Sequence, residues 1–173
     1  MKRRHFLTNS VVALSTLGLS GTYWQQRWRY IVIHHSAGDY GEIPFLTKVH
    51  RKRHYSDPID AIPYHYIIGN GNGLGLGKIA SDWRQTYDIW GAHVSNNNPE
   101  RNLWGIGICL IGNYEIDPVP AKQYQTLVKL TRYLMTRYLI SPENVTGHGY
   151  IPGEATKCPG KNFPMKRFIR DIT

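Results

Sequence analysis

Cysteine is nearly absent from this chain of 173 residues. The two present, Cys109 and Cys158, cannot build a disulfide framework, so each needs its own explanation. Acidic side chains are also scarce: 12 Asp and Glu stand against 21 Lys and Arg, a formal net charge of +9. That balance favours polyanionic partners, and nucleic acid and acidic wall polymers both qualify. No apolar run reaches the roughly 18 residues of an ordinary membrane-spanning helix. The glycines between positions 69 and 77 miss the G-x-G-x-x-G spacing, and no helix pattern follows them, which excludes a dinucleotide fingerprint. No second cysteine lies two to four residues from Cys158, so a zinc finger or ribbon is excluded as well. What remains is ordinary for a folded domain, with 41% hydrophobic and 19% charged residues and enough length for one core.

The start of the chain reads as an address. Lys2-Arg3-Arg4-His5-Phe6-Leu7-Thr8 fits the twin-arginine export pattern, and the apolar run 11–19 behind it is short and rich in Ser, Thr and Gly. Gly18-Leu19-Ser20 offers small residues for cleavage without an A-x-A, so retention as an anchor stays open. The expected organisation is a signal segment over 1–21, a linker over 22–29 and one folded domain over 30–173. The expected location is the periplasm or cell wall, with membrane contact only through export or an uncleaved segment.

Hydrophobic patterning then predicts a mixed α/β domain. Tyr30-Ile31-Val32-Ile33-His34-His35 reads as a buried strand. Residues 42–54 read as an amphipathic helix, with Phe45, Leu46 and Val49 on one side and the run from His50 to His54 on a solvated side. Tyr64-His65-Tyr66-Ile67-Ile68 reads as a second strand, its pleat setting Tyr64 and Tyr66 on one face and His65 on the other. Asn70-Gly71-Asn72-Gly73 signals a hairpin into residues 74–80. Residues 105–112 predict a central strand, Pro118 and Pro120 open a long helix that Ser141-Pro142 stops, and a last helix begins near Pro164. Helices and strands interleave without repeats, which implies helices against a central sheet.

Metal-capable groups stand in three places: His34-His35 at a strand end, His148, and Cys158. Two imidazoles, one thiolate and a water make the open tetrahedral set of catalytic zinc. Taken singly, each of these residues fits a plain packing or hydrogen-bonding role better.

Five segments in order carry a resemblance. They are Ile31-Val32-Ile33-His34-His35-Ser36-Ala37, Pro63-Tyr64-His65-Tyr66-Ile67-Ile68-Gly69, Gly91-Ala92-His93, Gly105-Ile106-Gly107-Ile108-Cys109-Leu110-Ile111-Gly112-Asn113-Tyr114, and Gly147-His148 with Thr156-Lys157-Cys158-Pro159-Gly160. Together they resemble the zinc-dependent N-acetylmuramoyl-L-alanine amidases of the group that includes phage T7 lysozyme and the peptidoglycan recognition proteins. The resemblance covers the chain from Tyr30 onward. It implies a central mixed sheet flanked by helices, an open groove over zinc, and hydrolysis of the amide between N-acetylmuramic acid and L-alanine. By the same resemblance His34, His148 and Cys158 are the zinc ligands, Tyr64 and Thr156 are catalytic, and His50 and His93 line the substrate groove. His65 is structural.

Two departures stand out. Thr156 replaces the catalytic lysine of phage members, as in animal recognition proteins with amidase activity. Cys109 stands where cytoplasmic relatives carry a glutamate, on the face expected to hold zinc. The implied partner is peptidoglycan or a muropeptide, bound by a monomer. The rival reading is a non-catalytic recognition module. A nucleic-acid binder lacks any motif and conflicts with export.

Overall fold

The most apolar segments of the chain become the centre of a sheet. Strand β1 (Tyr30–His35) and strand β4 (Gly105–Leu110) run parallel, in register from Tyr30 opposite Gly105 to His35 opposite Leu110. Strand β5 (Val145–Gly147) adds to β1, and strand β2 (Tyr66–Ile68) adds to β4, both parallel. Strand β3 (Ile79–Ser81) pairs antiparallel with β2 and completes the order β3-β2-β4-β1-β5. Five helices accompany the sheet among the described residues: α1 (Ile43–Arg53), α2 (Trp83–Thr86), α3 (Pro99–Leu103), α4 (Ala121–Tyr138) and α5 (Met165–Ile172). The computed structural model describes residues 27–53 and 61–173. The export segment 1–21, most of the linker 22–29 and His54 lie outside the described residues. No described helix is long and apolar enough to cross a membrane.

The two faces of the sheet differ in kind. On one, Ile31, Ile33, Ile106, Ile108 and Leu110 pack against Tyr124, Leu127, Leu130 and Leu134 of α4 and against Phe168 and Ile172 of α5. Each fully buried aliphatic side chain there contributes about 1.5–3 kcal/mol, so this layer supplies most of the apolar stabilisation. The α4 residues follow the three- and four-residue steps read from the sequence. The helix ends at Tyr138, where Leu139 takes a left-handed conformation at φ 56°, just ahead of the predicted stop at Ser141-Pro142. The second face carries Val32 and His34 of β1 and Cys109 of β4. It is covered by thinner clusters, Leu46 with Ile62, Tyr64, Ile67 and Ile111, and Val94 with Ile151. Functional groups gather on this thinner side.

Two sequence expectations need correction. Strand β2 starts only at Tyr66, and Tyr64 and Tyr66 face opposite sides: Tyr64 packs with Ile67 and Cys109, while Tyr66 packs against the α4 layer. A bend over residues 63–65 breaks the pleat, because the His65 ring turns to its neighbour strand and accepts the Gly107 amide at Nδ1 (3.0 Å). Alternation holds only within a regular strand. In α1, His50 belongs to the buried side, one turn after Leu46, while Arg51 and Lys52 are exposed as expected. Phe45 is the exposed member instead and stands edge-on to Tyr40, with ring centroids 5.0 Å apart. A single basic run therefore spans two sides of the helix, as residues one apart must.

Candidate metal centre and its cleft

β1 ends in two histidines that the pleat sends to opposite faces. His35 turns to the α4 side, where its Nδ1 accepts the Tyr114 amide at 3.0 Å. His34, 1% exposed, turns to the thin side. His148 opens the 3-10 turn His148–Tyr150 directly after β5, the strand beside β1, and its ring centroid lies 4.7 Å from that of His34. Adjacent parallel strands thus end on adjacent imidazoles. The following loop folds back over them, fixed where the Gly149 amide donates to the Cys158 carbonyl at 2.6 Å. Its Cys158 Sγ accepts the His35 amide at 3.3 Å and lies 3.7 Å from His34 Nδ1.

The donor atoms of His34, His148 and Cys158 all lie within 4.8 Å of one another. Bonds of about 2.0–2.3 Å to a tetrahedral ion separate two donors by about 3.5 Å, so the three side chains can hold one. Two nitrogens and a sulfur suit zinc, and an amide donating to Sγ favours the thiolate. Burial, reinforced by the neighbouring His93 and His148, holds His34 well below its ordinary value, so its imidazole is neutral, the ligating form. Burial also pushes the Cys158 thiol up to about 12, partly offset by the His35 amide. A metal entering here must displace that thiol proton.

Each histidine of the cluster has a partner on its other nitrogen. His34 Nε2 is 3.1 Å from His93 Nδ1, and His93 Nε2 is 3.3 Å from the Gly105 carbonyl. Only one proton arrangement satisfies the chain: His93 donates from Nε2 to the carbonyl, His34 donates from Nε2 to His93, and His34 Nδ1 is left as a lone pair beside Cys158. Burial pushes His93 down to about 3, so it stays neutral. Its ring lies against Gly91 and Gly107, where any Cβ would collide with it, which is why β4 carries glycine there. His148 Nε2 is 2.9 Å from Glu154 Oε2.

The remaining expected residues lie around the same cleft, an opening of about 440 Å³ lined by His34, His50, Tyr64, His148, Thr156 and Cys158 among others. Tyr64 is 5.1 Å from His34 and 5.4 Å from His50 by ring centroids, and it packs in one cluster with Cys109. Cys109 sits opposite His34 in register, on the same face, as expected of it. Burial, then nearby Cys158, push its thiol well above the ordinary value. Thr156 is exposed, and its Oγ1 accepts the Cys158 amide at 3.2 Å. His65 is buried away from the cluster, its Nε2 donating to the Ile89 carbonyl at 2.9 Å.

Sequence reasoning missed two charged residues, one buried and one half-buried. Arg84 is fully buried; its Nε donates to the Ile62 carbonyl at 2.8 Å and its Nη1 to the Trp90 carbonyl, tying together the segments that carry Tyr64 and His93. Glu154, with a side chain 3% exposed, is the other. Burial alone would raise its carboxyl, but hydrogen bonds from Ser95, Asn98 and His148 hold it below the usual carboxylate range. An acid just after a candidate ligand, in a chain poor in acids, was the available signal.

Known proteins are similar to this chain in sequence and in fold. Peptidoglycan-recognition protein SC2 of Drosophila simulans is 27% identical over 140 residues, 78% of this chain and 69% of that protein. The 1,6-anhydro-N-acetylmuramyl-L-alanine amidase AmpD of Enterobacter cloacae is 37% identical over 86 residues, 49% of this chain and 46% of that protein. The solved structure of N-acetylmuramoyl-L-alanine amidase LysC from Clostridium intestinale URNW superposes with a TM-score of 0.67 at 26% identity, covering 86% of this chain and 87% of that one. Residues 24–161 match the family described as N-acetylmuramoyl-L-alanine amidase, and with the mixed sheet and the histidine–cysteine cluster in place, the chain belongs to that family.

Proposed function

We propose that this chain is a zinc-dependent amidase that cuts the bond between N-acetylmuramic acid and the L-alanine of the stem peptide, in peptidoglycan or in muropeptides. The observation that carries the proposal is the convergence of His34, His148 and Cys158 on the floor of an open cleft beside the Tyr64 ring. Zinc, when bound, supplies a Lewis acid that polarises a carbonyl and acidifies water at neutral pH.

The side chains divide the remaining work. His34, His148 and Cys158 would hold the ion, and it would supply its Lewis acidity at the cleft that these three residues line. Tyr64 donates its phenol proton in a hydrogen bond to the oxyanion that forms on the attacked lactyl carbonyl. Thr156 already accepts the Cys158 amide, so its own O–H points elsewhere and serves the departing alanine nitrogen through a water. His93 spends both ring nitrogens inside the protein, so its part is to orient His34. His50 forms cleft wall edge-on to Tyr64. The basic surface suits an anionic wall polymer, reached by twin-arginine export and met by a monomer.

The test is incubation of purified protein with defined muropeptides, with and without chelator, and mass analysis of the products. Release of a stem peptide with a free L-alanine amine, abolished by chelator, is the expected result. The similarity to a peptidoglycan-recognition protein keeps one other reading in view. Metal-loaded protein that binds muropeptide and never cleaves it would replace the enzyme with a recognition module.

A further inference from the structure

Glu154 is the most heavily bonded carboxylate near the cluster, and the mechanism above does not use it. Its Oε1 accepts Ser95 Oγ at 2.7 Å and Asn98 Nδ2 at 2.8 Å. The Ser95 amide approaches both oxygens at 3.2 Å, and His148 Nε2 stands 2.9 Å from Oε2. Every one of these neighbours is a donor. Glu154 lines the cleft, but its side chain is 3% exposed and its carboxylate oxygens are engaged by these donors, so it is better suited to holding His148 than to carrying protons to a substrate.

We propose that Glu154 is a positioning residue: its carboxylate holds the proton of His148 on Nε2, so that Nδ1 is the nitrogen presented to His34 and Cys158. The inference rests on the proposed metal site. A neutral imidazole carries one N–H, and whichever nitrogen carries it cannot ligate. An acceptor-only carboxylate beside Nε2 decides that choice, and holds the ring plane as well. The Ser95 and Asn98 contacts fix the carboxylate in turn. The same loop, 93–98, is anchored by Asn102, whose Oδ1 accepts the His93 amide at 2.8 Å and the Val94 amide at 3.1 Å. One loop therefore seats the outer nitrogens of both cluster histidines, His34 through His93 and His148 through Glu154.

The Glu154→Gln variant changes one atom and little volume. Its amide must face a donor somewhere. If the NH2 faces His148, the imidazole proton moves to Nδ1 and blocks the ligating nitrogen; if it faces Ser95 and Asn98, the loop loses its clamp. Zinc affinity would be measured by competition with a chromogenic chelator, and the His148 tautomer by nitrogen-15 correlation spectra of apo protein. Glu154→Gln is expected to weaken zinc roughly 10–100-fold and to shift His148 away from the pure Nε2–H form. Ser95→Ala, which keeps the carboxylate, is expected to weaken zinc less than Glu154→Gln does. Equal zinc affinity in Glu154→Gln and the parent, or an unchanged His148 tautomer, overturns the inference. A parent that binds no zinc overturns the proposed function instead, and the tautomer spectra still judge Glu154. Loss of affinity in a variant whose apo thermal midpoint falls by the same proportion as a distant core variant's would reduce Glu154 to a fold-stabilising role.

Discussion

His34 Nε2 stands 3.1 Å from His93 Nδ1, so the nitrogen that faces away from the cluster is occupied and the one that faces Cys158 is free. The orientation of the first histidine is set by the second. Replacing His93 with Phe fills the cradle over Gly107 but supplies no acceptor. The expected outcome is a zinc affinity roughly 10–100-fold weaker with the fold retained, read by chelator competition and circular dichroism. Unchanged affinity would leave His93, which also lines the cleft, as a wall residue only.

Tyr64 tests chemistry without disturbing the metal. Tyr64→Phe removes the phenol and keeps the ring that packs on His34 and His50. Turnover of muropeptide is expected to fall by roughly 10²-fold or more with zinc content unchanged. Cys158→Ser is expected to lose both. Full activity in Tyr64→Phe would leave Tyr64 as a packed aromatic.

The two thiols lie on one face, each buried, with Cys109 opposite His34 and Cys158 against it. A mild disulfide oxidant should take two electrons and two protons from the pair in apo protein, so that both thiols are lost together. Bound zinc should protect both. Cys109→Ser should spare Cys158 from intramolecular pairing and leave amidase activity largely intact. Titration of free thiols after unfolding in chelator reads each state; oxidation of one thiol alone would refute the pairing.

His65 predicts a pH dependence of stability. Burial, helped by nearby His93, holds it well below 6.5 in the fold, while the unfolded chain takes up its proton near 6.5. The unfolded state then binds more protons as pH falls, so the stabilisation is fully present above about pH 6.5 and is lost below it. His65→Gln keeps an acceptor for Gly107 and a donor for Ile89 but does not titrate. Urea midpoints at several pH values should show a flatter acid slope in the variant, by up to about 1.4 kcal/mol per pH unit. Parallel slopes would contradict the assignment.

Export is testable without structure. Changing Arg3 and Arg4 to Lys should leave the protein in the cytoplasm, because the twin-arginine receptor reads that pair. Periplasmic accumulation of the double Lys variant would refute the route.

The linear chain determined a good deal of this. A β-branched run ending in two histidines located β1, an apolar run over 105–112 located β4, the step of three and four located α4, and each is a short-range pattern that packing then used unchanged. His34, His148, Cys158 and Tyr64 were legible because they stand in ordered motifs. Tertiary structure decided what those patterns cannot encode. Which nitrogen of His34 faces Cys158 depends on His93, 59 residues away in the chain. Tyr64 reached the cleft through a bend that broke the strand's alternation. Glu154 gained its place only when the 93–98 loop closed on it, 59 residues from Ser95. Local periodicity reports which face a side chain takes within one element. Hydrogen bonds between loops depend on how elements meet, and only the folded chain brings those partners within reach.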